Sequence, residues 1–460
     1  MSEIIRILFV GELHSSHAQS WIDLLSPYKG EFQIQGLHIS MWGGPKLDFP
    51  IVEAKDQIYF DKLPNHLKNE DLDLGDVYIH GLGAIKCMQL VNALSVLQEF
   101  KPHIVHTLGV FPASAFFLRV LSLSNTGFDV WDPFWIVQAR GGPDIALNRK
   151  NPNLAQEIQS ILSRCDYFIA DNQQNYSLAL EMGLASDKLS ITGPVPGAGG
   201  IDPAMFCGVP LPSRKERLII WPKAYNFIQS DGMAVVEALR LALPHIGEFR
   251  LVATAASPDV EYWFNTFLEN YGSRVEIYSR LPHEKFLELY RSARVILAPS
   301  LSDGIPNSMY EAMASHTVPI LSPIETLVPL FKDKIHTIYA PNLDPPAIAD
   351  ALVLAMNDDD LADNIALTNR SWLPTLAGRD YVRDRVVDMY RQAVRSKMSQ
   401  LVLNLIETKT ILFHTQDKLL NTQNQLLNTQ NQLSKISNNL VVKFLIKGKR
   451  LLVKFRMLFK

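Results

Sequence analysis

Short apolar runs recur along the chain, each separated from the next by a stretch long enough for a helix. In the first half they are residues 4–10 (IIRILFV), 104–106 (IVH), 135–138 (WIVQ) and 167–170 (YFIA). In the second they are 218–221 (LIIW), 250–253 (RLVA), 275–278 (VEIY), 295–298 (VILA) and 318–321 (VPIL). Polar residues scarcely alternate within them, which predicts parallel strands covered on both faces. The Pro-rich, charged segment 207–217 divides the runs into two sets. The chain therefore reads as α/β, with two doubly wound Rossmann-like domains over 1–210 and 211–375. Ligands in such folds bind beyond the carboxyl ends of the strands. An amphipathic helix over 376–395 closes this part.

From residue 396 the composition shifts to Leu, Asn, Gln and Thr. LLNTQNQ at 419–425 recurs unchanged at 426–432, and LFHTQDK at 412–418 is a diverged copy. Leu405, Leu412, Leu419, Leu426 and Leu433 share one heptad register. That predicts a coiled-coil-like segment over 396–436 and self-association through it. Thr and Gln fill most of the partner positions, so a solvated helical or disordered spacer is the alternative.

Charge sharpens the picture of the last segment. The 460 residues carry 44 basic and 47 acidic side chains, a net −3. Seven of the basic ones (Lys443, Lys447, Lys449, Arg450, Lys454, Arg456, Lys460) lie in 437–460, which holds no acid, so residues 1–436 carry −10. An acidic body argues against a nucleic-acid enzyme, and no nucleic-acid partner is expected. Residues 443, 447, 450 and 454 form a helical stripe beside Leu440, Phe444, Leu451, Phe455 and Leu458. The expectation is an in-plane basic amphipathic helix on an anionic membrane surface, against the alternative of a helix docked on protein. Its charges exclude a spanning helix. A hydrophobic content of 47% excludes a disordered chain or a disulfide scaffold. Cys87, Cys165 and Cys207 are widely spaced and suit a reducing cytosol.

Chemistry concentrates at 298–320, APSLSDGIPNSMYEAMASHTVPI, which reads as strand, loop, helix and second strand. Pro306 suits the first helical position, which needs no N–H. The N–H groups around Ile305, Asn307 and Ser308 then open the helix start, a cradle for a diphosphate. Asp303 stands before that helix and Glu311 within it, each able to accept two hydrogen bonds from vicinal sugar hydroxyls. Such an acid pair is common by chance, so its context carries the reading.

In that context the stretch resembles family 4 glycosyltransferases of the GT-B fold, which retain the donor's anomeric configuration. SRLPHEKFLELYRSARVILAPS at 279–300 and ITGPVPGAGGIDPAMF at 191–206 extend the resemblance. The resemblance implies that 1–210 takes the acceptor and 211–375 a nucleotide-sugar. It implies that Asp303 faces the donor sugar, that Gly304 to Ser308 form the phosphate turn, and that Glu311 holds the ribose. Lys223 would face the diphosphate; on residues alone it reads equally as a solvated loop lysine. The family's second lysine is absent near Asp231. Gly11 matches the glycine loop after the first strand, and His17 an acceptor-side sugar contact. Arg140, in QARGGPDI, stands near the usual catalytic His. His106 either faces the acceptor or fills its strand end. Ser315 and His316 replace a small Cys–Gly pair.

The resemblance implies a retaining, metal-independent hexosyltransferase acting on a glycan or glycolipid acceptor. A bacterial surface-polysaccharide or lipopolysaccharide role is expected, cytoplasmic and peripheral at the inner face of the cell membrane. No cofactor and no obligatory metal is expected. Asp71 and Asp73 read as a loop, and His14 and His17 find no third ligand. The alternatives are a GT-B epimerase or sugar phosphorylase, or an inactive membrane-associated scaffold.

Overall fold

The computed structural model describes residues 4–39, 47–53, 76–126, 130–141 and 143–458. Asp71 and Asp73 lie outside the described residues. The first seven strands are β1 (Ile5–Gly11), β2 (Phe32–His38), β3 (Ile51–Glu53), β4 (Asp76–Ile79), β5 (Gly83–Lys86), β6 (Ile104–Leu108) and β7 (Phe134–Ala139). The others are β8 (Tyr167–Ala170), β9 (Glu216–Trp221), β10 (Arg250–Thr254), β11 (Val275–Tyr278), β12 (Ala293–Ala298), β13 (Val318–Leu321) and β14 (Ile338–Tyr339).

Two all-parallel sheets result, ordered β3-β2-β1-β6-β7-β8 and β11-β10-β9-β12-β13-β14, with β4–β5 as a separate antiparallel hairpin. The absence of polar alternation now has its cause. In β1, Ile5, Ile7 and Phe9 enter one core while Leu8 and Val10 enter the core on the opposite face. In β9, Ile219 and Trp221 face one core and Leu218 and Ile220 the other. Each side chain so buried contributes about 1.5–3 kcal/mol, and a polar residue at any of these positions would lie in apolar surroundings on whichever side it faced. This double six-stranded arrangement is the Rossmann-like GT-B architecture.

Residues 4–394 form one compact unit and 395–458 another. Within the first, the chain passes between the sheets twice at one place. Ile201 N–H donates to the Ala377 carbonyl at 2.7 Å, and Arg379 N–H to the Ile201 carbonyl at 2.8 Å. Gly200 adopts φ +84°, and a Cβ there would stand 2.6 Å from the Ala377 oxygen, so this close approach requires glycine. The helix Arg379–Leu458 then begins by returning to the first sheet. Val382, Val386, Met389, Tyr390 and Ala393 pack among Ile7, Phe9 and Trp21.

Candidate functional site

Both sheets change winding direction at their centres, between β1 and β6 and between β9 and β12. A crevice opens at the carboxyl ends of strands at such switch points. Lys223 follows β9 and Asp303 follows β12, so the topology sets them side by side. The Lys223 ammonium pairs directly with Asp303 Oδ2. Asp303 Oδ1 accepts the Gly304 N–H at 2.9 Å, and the Asp303 carbonyl accepts the Thr326 hydroxyl at 2.9 Å. The turn is thus fixed before any ligand arrives.

The helix beyond it runs Asn307–Ala314, with Pro306 as its cap at φ −64° and ψ 133° rather than its first helical residue. Extended backbone at Pro306 turns the chain sharply, so the N–H groups of Asn307 and Ser308 open the helix start. Glu311 lies one turn in and is buried. Its Oε1 accepts from Asn307 Nδ2 at 2.7 Å and from His283 Nε2 at 2.9 Å. Two donors on one oxygen orient the carboxylate and leave Oε2 for a ligand. The Glu311 carboxylate raises the His283 pKa above 6.5.

That shift yields a prediction. A histidine whose folded pKa exceeds its unfolded value contributes stability that is fully present below pH 6.5 and lost as pH rises through the folded pKa. The thermal midpoint of the protein is therefore expected to exceed that of His283→Gln below pH 6.5. The two melting temperatures should converge as pH rises through the folded pKa of His283; a gap independent of pH would contradict the pairing.

The opposite wall comes from the first domain. His17, Arg140, Gly141 and Asp171 line the same cavity, of about 1250 Å³, as Lys223, Asp303, Gly304, Asn307, Ser308 and Glu311. Asp144 organises this wall. It accepts N–H groups of Val110, Phe111 and Arg140 at 2.9–3.1 Å, and burial pushes its pKa up to about 6. Asp171 accepts the Gly141 N–H at 3.0 Å and is likewise pushed to about 6, chiefly by burial. Arg140 Nε donates to Gln138 Oε1 at 3.0 Å, while its Nη2 is buried with no hydrogen-bond partner. Burial lowers the guanidinium to about 10, which leaves it charged at neutral pH. Burial, then Arg140, lower the His17 pKa, so this imidazole is neutral near pH 7.

Two residues singled out in the sequence stand elsewhere. His106 is fully buried, with Nδ1 2.6 Å from the Tyr390 hydroxyl and its ring among Phe9, Trp21 and Tyr390. β6 runs on to Leu108, so His106 is mid-strand rather than at its end; it faces the helix Arg379–Leu458 and does not line the cleft. Gly11 is not a cleft-lining residue either. A Cβ there would stand 3.2 Å from Leu108 Cβ, so the glycine allows β1 to approach that side chain.

Other features acquire roles. Asp231, where a second lysine would fall, caps the helix Gly232–Ala242 by accepting the Ala234 N–H at 3.0 Å. His316 ends the 307–314 helix at φ +57°, and its Nδ1 lies 3.2 Å from the Pro210 carbonyl, tying that end to the interdomain segment. His14 and His17 do not meet. Among the described residues, His14, His38 and Glu53 bring three potential metal-ligand atoms within 4.8 Å of one another, off the cleft. The Leu13 N–H donates to His38 Nδ1 at 3.0 Å, however, so the neutral ring carries its proton on Nε2 and acts as a donor there rather than a ligand.

Sequence reasoning missed the cleft groups His283 and Asp171, and the buried Asp144 that organises the wall around Arg140. Asp171 follows the run YFIA directly, so the strand-end rule alone would have found it. His283 lies in the quoted LPHEKF stretch, but nothing in that stretch reveals its carboxylate partner.

Part of the chain's sequence and its overall fold resemble known proteins. Residues 229–358 match the family described as Glycosyl transferases group 1, a span containing Asp303 and Glu311 and beginning just after Lys223. Three solved structures share the fold. A sucrose-phosphate synthase from Thermosynechococcus elongatus is 15% identical, with TM-score 0.61 over 86% of this chain and 100% of its own. A glycosyltransferase from Rickettsia africae is also 15% identical, with TM-score 0.60 over 86% and 99%. An Anabaena protein in complex with UDP and glucose is 10% identical, with TM-score 0.60 over 84% and 99%. No curated protein matches the chain in sequence. The resemblance to GT-B glycosyltransferases thus holds for the fold, and the family-model match over residues 229–358 supports glycosyltransferase activity. Among the described residues, no helix is long and apolar enough to cross a membrane.

Proposed function

We propose that the chain is a retaining glycosyltransferase that transfers a sugar from a nucleotide-sugar donor to a glycan or lipid-linked glycan. The observation that carries this reading is the convergence of the Lys223–Asp303 pair, the 307–314 helix start and oriented Glu311 on one switch point, facing Arg140 and His17. In this reading the helix start and Lys223 receive the donor diphosphate, Glu311 Oε2 receives a ribose hydroxyl, and Asp303 turns from Lys223 to the sugar. The Anabaena neighbour's bound UDP and glucose support such a donor.

Leaving-group charge is the main energetic demand, and preorganised donors in a water-poor cleft meet it most effectively. Lys223 and the helix dipole supply that field from one wall. Arg140, charged and with Nη2 unpartnered, supplies a second cation from the other, in place of the lysine missing near Asp231. Gly304 and Ile305 let the turn approach the diphosphate, and Asn307 and Ser308 offer backbone N–H groups. Neutral His17 serves as a hydrogen-bonding partner for the acceptor. Retention then follows from attack on the leaving-group face, with a diphosphate oxygen taking the acceptor's proton. Since protein cations cover the leaving group, the reaction needs no metal.

The cleft lining also includes the apolar side chains Leu25, Phe32, Ile34, Leu47 and Phe49, interspersed with Ser26, Lys29 and Asp48. Those apolar side chains favour an acceptor carrying an apolar group over a wholly polar glycan. The basic segment 437–460 would hold the enzyme at the cytoplasmic membrane face, in bacterial surface-polysaccharide assembly. The test is to supply UDP-sugars with a glycolipid acceptor and without metal, then to assign the product anomer by NMR. An α-linked product from an α-linked donor is expected; an inverted linkage, or donor turnover without transfer, would contradict the reading.

A further inference from the structure

The helix Arg379–Leu458 continues beyond residue 395 as a unit of its own. There Leu412, Leu419, Leu426, Leu433 and Leu440 recur every seven residues, each with 55–62% of its surface exposed. Seven residues fall about 20° short of two full helical turns, so these leucines make one slowly drifting stripe. A stripe of that length left in water forgoes the hydrophobic stabilisation that covering five leucines would supply. Ile411 and Leu427, also exposed, broaden it.

The polar residues beside the stripe are less of an obstacle than their identity suggests. Thr415, Thr422 and Thr429 each stand three positions after a stripe leucine. Their hydroxyls donate to the carbonyls of Ile411, Lys418 and Gln425, four residues back, at 2.8–2.9 Å. With its hydroxyl satisfied inside the helix, each threonine can bury its methyl group without stranding a donor. The seam is Leu and threonine methyl along three successive heptads.

We propose that this stripe is covered by further copies of the same chain, in a parallel, in-register coiled coil. Three observations select that occupant. Residues 419–434 carry no charge, so a copy meets no like-charge repulsion there and an anionic membrane finds nothing to attract. The repeat is the same seven residues twice over with a diverged third copy, so a partner must share that period, and the chain itself does. The leucines all occupy a single heptad position. Parallel strands in register put like positions in the same layer, leucine on leucine, whereas antiparallel strands set each leucine layer against the polar partner position. A slip of one heptad loses a whole leucine layer, which fixes the register. Parallel alignment also delivers the basic residues Lys443, Lys447, Lys449 and Arg450 of every strand to one end.

The test is sedimentation equilibrium of the full chain at tens of micromolar. A mass at least twice the 51.8 kDa of one chain is expected. Leu419→Asp combined with Leu426→Asp should return the mass to one chain while leaving UDP affinity unchanged. For orientation, Leu426→Cys is oxidised and compared on a non-reducing gel with the parent chain, whose exposed Cys207 is the control. A dimer linked through residue 426 on both chains is expected only in the variant. A monomeric parent, an aspartate variant that stays associated, or no 426-to-426 bond would overturn the proposal.

Discussion

Lys223→Ala lowers the rate of sugar transfer by about 10²–10³, the scale for losing one preorganised electrostatic contact to a leaving group. The side chain follows β9 at the switch point and already pairs with Asp303, so little reorganisation separates the resting geometry from the one that meets the diphosphate. Removing it leaves Asp303 without its cation and adds repulsion exactly where the diphosphate must sit. Glu311→Ala costs a similar factor by a different route, because Asn307 and His283 lose the oxygen they orient. Steady-state kinetics, with folding checked by circular dichroism, read both. Turnover near that of the parent in both variants would remove the site assignment.

Gly304→Val separates closure from binding. The Gly304 backbone lies against the opposite wall, and a Cβ there would stand 2.5 Å from Gly141 Cα and 2.6 Å from Asp171 Oδ2. Neither can yield as the tip of a flexible side chain would: one is backbone, and the other is held by the Gly141 N–H. A branched side chain therefore props the two domains apart. Misplacement of about 1 Å between reacting groups is worth about 10²-fold in rate, so kcat is expected to fall by about that factor. Most of the proposed nucleotide contacts (Lys223, the 307–314 helix start and Glu311) belong to the second domain, so UDP affinity is expected to fall less than kcat, through the lost Arg140 contact and the altered turn at residue 304. A variant with normal kcat would show that the domains need not approach this closely.

Much of this arrangement was legible beforehand, for reasons that particular residues explain. The runs at 4–10 and 218–221 announced buried strands because both faces of β1 and β9 are covered. By contrast β2, FQIQGLH, escaped notice because Gln33, Gln35 and Gly36 interrupt its apolar character. The two- and three-residue edge strands β14 and β3 are too short for any period to register. The contacts that build each wall of the cleft were not legible either. Asp171 with Gly141, and His283 with Glu311, are 30 and 28 residues apart along the chain, and tertiary packing alone joins them. His106 shows the reverse error. A histidine at the end of an apolar run suggested a ligand, but the partner that buries it, Tyr390, lies 284 residues away on a helix that returns from the other domain.

The central claim is that Lys223, the 307–314 helix start and Glu311 form a nucleotide-sugar site. Calorimetric titration of the full chain with UDP, GDP and ADP, first without metal and then with magnesium, tests it most directly. Saturable binding of one nucleotide without metal, lost in Glu311→Ala, is the result the account predicts. A folded protein that binds none of them, or whose binding survives Glu311→Ala unchanged, would contradict it.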